Sequence, residues 1–368
     1  MKNVSLTPAV FHLPAAVNAI AKTYGDNPVV PRGPKLAPLL KRVQDKVAAA
    51  LGCAESHTSV ILTCSGSGAI AASLGSAVGD RKLLVVSNGA YGERAAKYAG
   101  QIGIDFVHYA LPYGDRPDIA HIKALVAEHG IGAITIVHGA TSTCSMNPIR
   151  EVAAVAKDAG AILIVDAIAS VFVDPVPVQD IDVLICSTNK GLHSNPDLAF
   201  VVVKNDLMAE VAARPGRIPY LDLAEAYLKQ KGGSHPYTIN VRALLEFEAA
   251  LDALDAEGGV AGRHATYKAR TDLLRAGYAR LGFTRFETPG MPFQSIGTAL
   301  YLPDGVTYDA LANALAAWDD GSGECYEIYS AQGKLSSTVF RIFNMGSYPI
   351  ETYGRFLGAL EKTLNALR

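Results

Sequence analysis

Two apolar runs constrain this chain more than any other feature. Residues 161–173 read AILIVDAIASVFV and residues 183–203 read VLICSTNKGLHSNPDLAFVVV. Unbroken Val, Ile and Leu without polar alternation is the pattern of strands buried on both faces, which occur in parallel sheets covered by helices. In AILIVD the aliphatic stretch closes on Asp166, and Lys190 closes the strand-like opening of the second run. Open α/β sheets bind ligands outside the carboxyl ends of their strands. An acid and a lysine are therefore expected side by side on the ligand-binding edge.

The rest of the chain agrees with an α/β fold built on a mainly parallel sheet. Leu36, Leu39, Leu40, Val43, Val47 and Leu51 follow helical spacing and Gly52 stands where a helix stops. Strands are expected at Ser59–Thr63, Lys82–Asn88, Asp105–Tyr109 and Ala133–Val137, alternating with helices near Glu93–Gly100 and Ile119–Glu128. Pro215–Pro236, rich in proline and glycine, reads as a loop. A long helix from about Gly262 then leads to strands near Ile296–Leu302, Cys325–Tyr329 and Thr338–Phe343, with helices at Tyr308–Trp318 and Pro349–Leu367. With 368 residues, 49% of them hydrophobic, the expected division is an N-terminal arm (1–15), a large domain (16–255) and a small α+β C-terminal domain (256–368).

A lysine amine and an aspartate at the ends of neighbouring buried strands are what pyridoxal 5′-phosphate chemistry requires. The amine condenses with the cofactor aldehyde, and the carboxylate keeps the pyridine nitrogen protonated so that the ring can accept electrons. Taken singly, each residue has a plain structural reading, a solvated turn lysine or a helix-capping aspartate. CSGSGAIAASLGSAV, which follows the first strand, adds free N–H groups at a helix start, suited to a phosphate. Gly66-Ser-Gly68-Ala-Ile-Ala71 also fits a dinucleotide fingerprint, so a nicotinamide-dependent oxidoreductase is the rival from another class. That site wants an acidic residue at the end of the next strand, and the strand ends on Ser87-Asn88. A net charge of −2 gives no field for nucleic acid. Five cysteines without CxxC spacing, and histidines without HExxH, argue against disulfides and a metal centre. No uncharged stretch has membrane length, and the expected compartment is the cytoplasm.

Ser187-Thr188-Asn189-Lys190, VDAIAS at 165–170 and VHGATSTCSMNP at 137–148 resemble the class V aminotransferases of fold type I, most nearly their aminophosphonate-using branch. The likeness continues through LTP (6–8), HTSVILTCSGSGA (57–69), SNGAYGERA (87–95), EGGVAGRH (257–264) and YSAQGKLSSTVFRIFNMG (329–346). It implies a seven-stranded-type sheet and a homodimer with sites at its interface. It implies a small anionic amino donor and a 2-oxo acid acceptor. A lyase on a related substrate would use the same residues. By resemblance Ser67, Gly68, Ala69 and Ser187 hold the cofactor phosphate, and Tyr91 and Ile168 cover its ring. Thr141 meets the ring hydroxyl, and Thr238 reaches the phosphate of the neighbouring protomer; otherwise Thr238 caps the next helix. Arg341, central in the strand TVFRIFNMG, suits bidentate capture of a carboxylate or phosphonate, with an internal salt bridge as its alternative role. His138 and His193 are expected to be structural. Ala140 stands where the aminophosphonate branch carries glutamate, Phe343 where it carries glycine, and His193 and Asn195 alter the loop after Lys190. Aminoethylphosphonate is therefore expected to be a poor donor beside a related phosphonate or amino acid.

Overall fold

In the computed structural model, which describes residues 2–8 and 10–367, the apolar runs lie at the centre of a seven-stranded sheet. Its strands are β1 (His57–Leu62), β2 (Leu83–Ser87), β3 (Phe106–Ala110), β4 (Ala133–Val137), β5 (Ile162–Asp166), β6 (Val183–Ser187) and β7 (Ala199–Lys204). They are ordered β1-β7-β6-β5-β4-β2-β3. Only β7 runs against its neighbours. Because β4, β5 and β6 are adjacent and parallel, the chain leaves all three on the same edge, with Asp166 opposite Val137 on one side and Ile185 on the other. Val, Ile and Leu fill these strands because helices cover both sheet faces and leave no solvated side to alternate toward.

Leu36–Leu51 shows why the helices dock. Its buried Leu36, Leu39, Leu40, Val43 and Val47 form one stripe, each side chain contributing about 1.5–3 kcal/mol on burial. It stops at Gly52, whose φ of 63° is the left-handed conformation that glycine adopts without strain. The helix Gly66–Ala77 is almost wholly buried and made of small residues, which lets its start approach the strand ends closely. A Cβ on Gly66 would lie 2.7 Å from Ile168 Cδ1.

A second core forms around the antiparallel strands Gly297–Tyr301, Val339–Phe343 and Tyr329–Ser330, covered by the helices Gly259–Arg280 and Ile350–Leu367. The amino-terminal residues join it: Lys2–Ser5 is a strand parallel to Glu324–Glu327.

The chain turns directly after Asp166, with Val171 N–H donating to Ala167 O at 2.8 Å, so the strand ends on the carboxylate as its aliphatic run suggests. Two local expectations are corrected. β6 ends at Ser187, and Lys190 lies in the turn beyond it rather than at the strand end. Leu223–Lys231 is a helix within the supposed loop. Its AEAYLKQK core consists largely of good helix formers, and Asp222 caps it by accepting from Ala224 N–H at 2.8 Å, which outweighs the flanking glycines and prolines.

Candidate active site

The turn that carries Lys190 is held from several sides. His193 N–H donates to Lys190 O at 3.0 Å, and His193 itself takes a φ of 64°. Thr188 Oγ1 donates to the carbonyls of Asn195 (2.6 Å) and Leu198 (2.9 Å), closing the loop at its base. Gly191 is packed so tightly that a Cβ there would lie 2.3 Å from Val171 O, and Arg263 Nη1 donates to Gly191 O at 2.5 Å. The Lys190 amine donates to the carbonyl of Pro8. Burial, followed by the nearby charge of Arg341, pushes that amine down to about 8.

Asp166 faces the same space. Its Oδ1 accepts from Ile168 N–H at 3.0 Å, and burial lifts its carboxyl to about 6 against the opposing pull of that hydrogen bond, Arg94 and Lys190. Both residues line one cleft whose walls include Ser65–Ser67, Tyr91, Arg94, Thr141, Ile168, Ser187 and Asn189.

The structure thus gathers Ser67, Tyr91, Thr141, Asp166, Ile168, Ser187 and Lys190 around one cleft. Gly68 and Ala69 lie just behind it. Their N–H groups already donate to Ser65 O at 2.8 and 3.2 Å, leaving those of Gly66 and Ser67 as the open donors of the helix start among the described residues. Gly68 is needed for close packing, since its Cβ would lie 2.7 Å from Cys64 Cβ. Thr238 is exposed and away from the cleft. The cap of Val241–Ala256 belongs instead to Asn240, whose side chain accepts from Ala243 N–H at 3.1 Å.

Arg341 has no exposed surface and sits behind Thr141, whose carbonyl accepts from Nη1 at 2.6 Å. Nε and Nη2 both donate to Ser330 O. No carboxylate pairs with it among the described residues, so the internal salt bridge is ruled out there. Three of the five guanidinium N–H groups go to neutral carbonyls, which leaves two for an anion. The rings of Tyr329 and Phe343 flank it at 5.1 and 5.7 Å, and burial lowers its pKa.

His193 and Asn195 turn away from the cleft. The His193 ring contacts Phe11 and bonds Tyr267 through Nε2, while Asn195 Nδ2 donates to Glu246 at 2.7 Å. His138 pairs with Ser170 Oγ at 2.9 Å, and burial pushes it down to about 4. Sequence reasoning missed Arg94, Asn189 and Pro8. Arg94 carried a usable signal, its spacing of three from Tyr91 on Ala90–Gln101, which puts both on one helix face. Pro8 carried none.

The geometry fits pyridoxal 5′-phosphate: a buried amine and carboxyl, a helix start with open N–H groups, and glycines where a Cβ would block the approach. Comparison with known proteins decides the family. The aminotransferase class V family model matches residues 22–298. This chain belongs to the class V aminotransferases. Among similar aminotransferases is the 2-aminoethylphosphonate–pyruvate transaminase of Salmonella schwarzengrund, 36% identical over 339 residues that make up 90% of this chain and 88% of the relative. The Salmonella typhimurium enzyme of the same name is equally similar over the same shares. The fold is shared with the ureidoglycine-glyoxylate aminotransferase of Bacillus subtilis (TM-score 0.89, 20% identity, 100% of this chain and 94% of that one). It is also shared with a subgroup IV aspartate aminotransferase of Thermus thermophilus (TM-score 0.86, 23% identity, 100% of each chain). The oxidoreductase alternative falls with this match. At the end of β2 this aminotransferase presents Asn88, whose amide is spent on Asp115 O and Asn147. No helix among the described residues is long and apolar enough to cross a membrane.

Proposed function

We propose that this aminotransferase holds pyridoxal 5′-phosphate in the cleft and moves an amino group from a small anionic donor to a 2-oxo acid such as pyruvate, as a cytoplasmic homodimer. One observation carries the reading: Asp166 at the end of β5 and Lys190 in the turn beyond β6 face one cleft, each with its charge disfavoured by burial. A amine at about 8 is unprotonated in roughly a tenth of molecules at pH 7, against far under a hundredth for an ordinary lysine. It is therefore a competent nucleophile and proton carrier. The name of the Salmonella relatives supports pyruvate as acceptor.

The bound cofactor would supply an electron sink for the bonds at the donor's amino carbon. Asp166 would hold the proton on its ring nitrogen, and the positive ring would return the carboxyl to its ionised form. Lys190 would anchor the aldehyde carbon, then take a proton from the donor carbon and deliver it to the other side of the nitrogen. Ser67, the Gly66 N–H and Ser187 would hold the phosphate, with Gly68 and Ala69 shaping the helix start. Tyr91 and Ile168 would cover the ring and Thr141 its hydroxyl. Thr238, exposed on one protomer, would serve the phosphate of the other. Arg341 would orient donor and acceptor by their anionic groups. Phe343 packs against Arg341 and Gly297, taking the space beside the guanidinium, which supports a donor other than aminoethylphosphonate.

The test is to add pyridoxal 5′-phosphate, record visible absorbance, reduce with borohydride and find the labelled peptide. The label is expected on Lys190; a label elsewhere, or no absorbance, sinks the proposal. A panel of amino donors, read as alanine formed from pyruvate, then gives the specificity. Efficient turnover of aminoethylphosphonate would remove the donor preference alone.

A further inference from the structure

We infer that Arg94 is the cationic anchor of the cofactor phosphate, so that this one guanidinium lets the site distinguish phosphorylated from unphosphorylated pyridoxal. The inference rests on the cofactor reading above and assigns a role to a residue that neither the resemblance nor the helix start supplies.

Arg94 lies in the second turn of Ala90–Gln101, the helix that follows β2, and lines the cleft. Its guanidinium carbon stands 4.8 Å from the centre of the Tyr91 ring, which fixes the side chain against the cleft wall. Nη1 donates to Ser67 Oγ at 2.7 Å, the only side-chain hydrogen bond of Arg94 among the described residues. The neighbouring carboxylate does not compete for it, because Glu93 Oε2 accepts from Tyr113 OH at 2.6 Å. A guanidinium has five N–H donors, so most of its capacity remains open.

The direction of the Ser67 bond matters. Since Arg94 donates to Oγ, the hydroxyl hydrogen of Ser67 is free to point elsewhere, and the open N–H groups of Gly66 and Ser67 are next to it. Arginine, hydroxyl and helix start thus offer donors to one region of the cleft. A phosphate dianion needs more than the partial charge of a helix end, and no other cation among the described residues borders that region: the Lys190 amine bonds Pro8, and Arg341 is behind Thr141. The Arg94 charge also opposes the burial-driven rise of the Asp166 pKa, which places it within electrostatic reach of the site's centre.

The experiment titrates the cofactor-free full chain with pyridoxal 5′-phosphate and, separately, with pyridoxal, reading visible absorbance in wild type, Arg94→Met and Arg94→Lys. Losing charge-assisted bonds to the phosphate should lower the affinity ratio of the two aldehydes roughly 10- to 100-fold in Arg94→Met. Pyridoxal binding should be unchanged, and Arg94→Lys should recover part of the ratio. A wild-type ratio in Arg94→Met would overturn the inference while leaving the cofactor reading intact. So would loss of both aldehydes in Arg94→Met with both restored in parallel by Arg94→Lys, the mark of an arginine that only supports the fold. No band from the wild type with either aldehyde would remove both readings.

Discussion

Replacing Asp166 by Asn should stabilise the cofactor-free protein while destroying its chemistry. Burial holds the Asp166 carboxyl at about 6 in the folded chain, against 3.8 for the free side chain. Between about pH 4 and 6 the folded chain keeps a proton that the unfolded chain has released, so stability falls as pH rises through that window and stays low above it. At 1.36 kcal/mol per pH unit the difference between those two values amounts to about 3 kcal/mol at pH 7. An asparagine keeps an oxygen for the Ile168 N–H and carries no charge to desolvate. For a chain of 368 residues the gain corresponds to about 4 °C in Tm. Thermal unfolding of the two cofactor-free proteins at several pH values is the assay. The advantage of Asp166→Asn should be full above pH 6 and vanish below pH 4. Pyridoxal 5′-phosphate should reverse the order at pH 7, because its protonated ring nitrogen makes the carboxylate's charge favourable. A wild type equally stable at pH 7 without cofactor would refute the argument.

Arg341→Ala should lower kcat/KM by the equivalent of about 2–5 kcal/mol, and Arg341→Lys should rescue little, because an ammonium cannot make a bidentate pair; an unchanged donor profile in steady-state assays would contradict this. Gly191→Ala should cost about 1–3 kcal/mol in denaturant unfolding and displace the Lys190 turn, since its Cβ would meet a backbone carbonyl at 2.3 Å; wild-type stability and activity would show the turn to be pliable. Sedimentation should find a dimer, with Thr238→Ala weakening cofactor binding; an active monomer would count against both.

The strands were legible wherever burial on both faces left a continuous aliphatic run: Ala133–Val137 is observed with the bounds its sequence suggests, and Leu36–Leu51 follows its apolar stripe. The antiparallel β7 was not legible, because a fully buried strand reads the same in either direction. Lys2–Ser5 was invisible for another reason. Four residues carry no periodicity, and their partner lies at Glu324–Glu327. At the site, Asp166 and Lys190 could be seen because a charge inside an apolar run needs a reason. Arg341 stood out in its strand for the same reason, but its placement behind Thr141, off the cleft wall, could not be read from that strand alone. Pro8 reaches Lys190 only through tertiary folding, and Gly66 was hidden by its neighbours: which N–H groups stay open depends on where the helix begins.

The Lys2–Ser5 strand has a consequence for synthesis. Lys2–Ser5 cannot take their place until Glu324–Glu327 have been made, and Pro8, a few residues on, supplies the carbonyl that receives the Lys190 amine. β1 likewise waits for β7, its only partner in the sheet among the described residues. Lys190 therefore gains its finished surroundings only after Glu324–Glu327 have been synthesised. A nascent chain stalled before Glu324 would carry Asp166 and Lys190 without that amino-terminal cover.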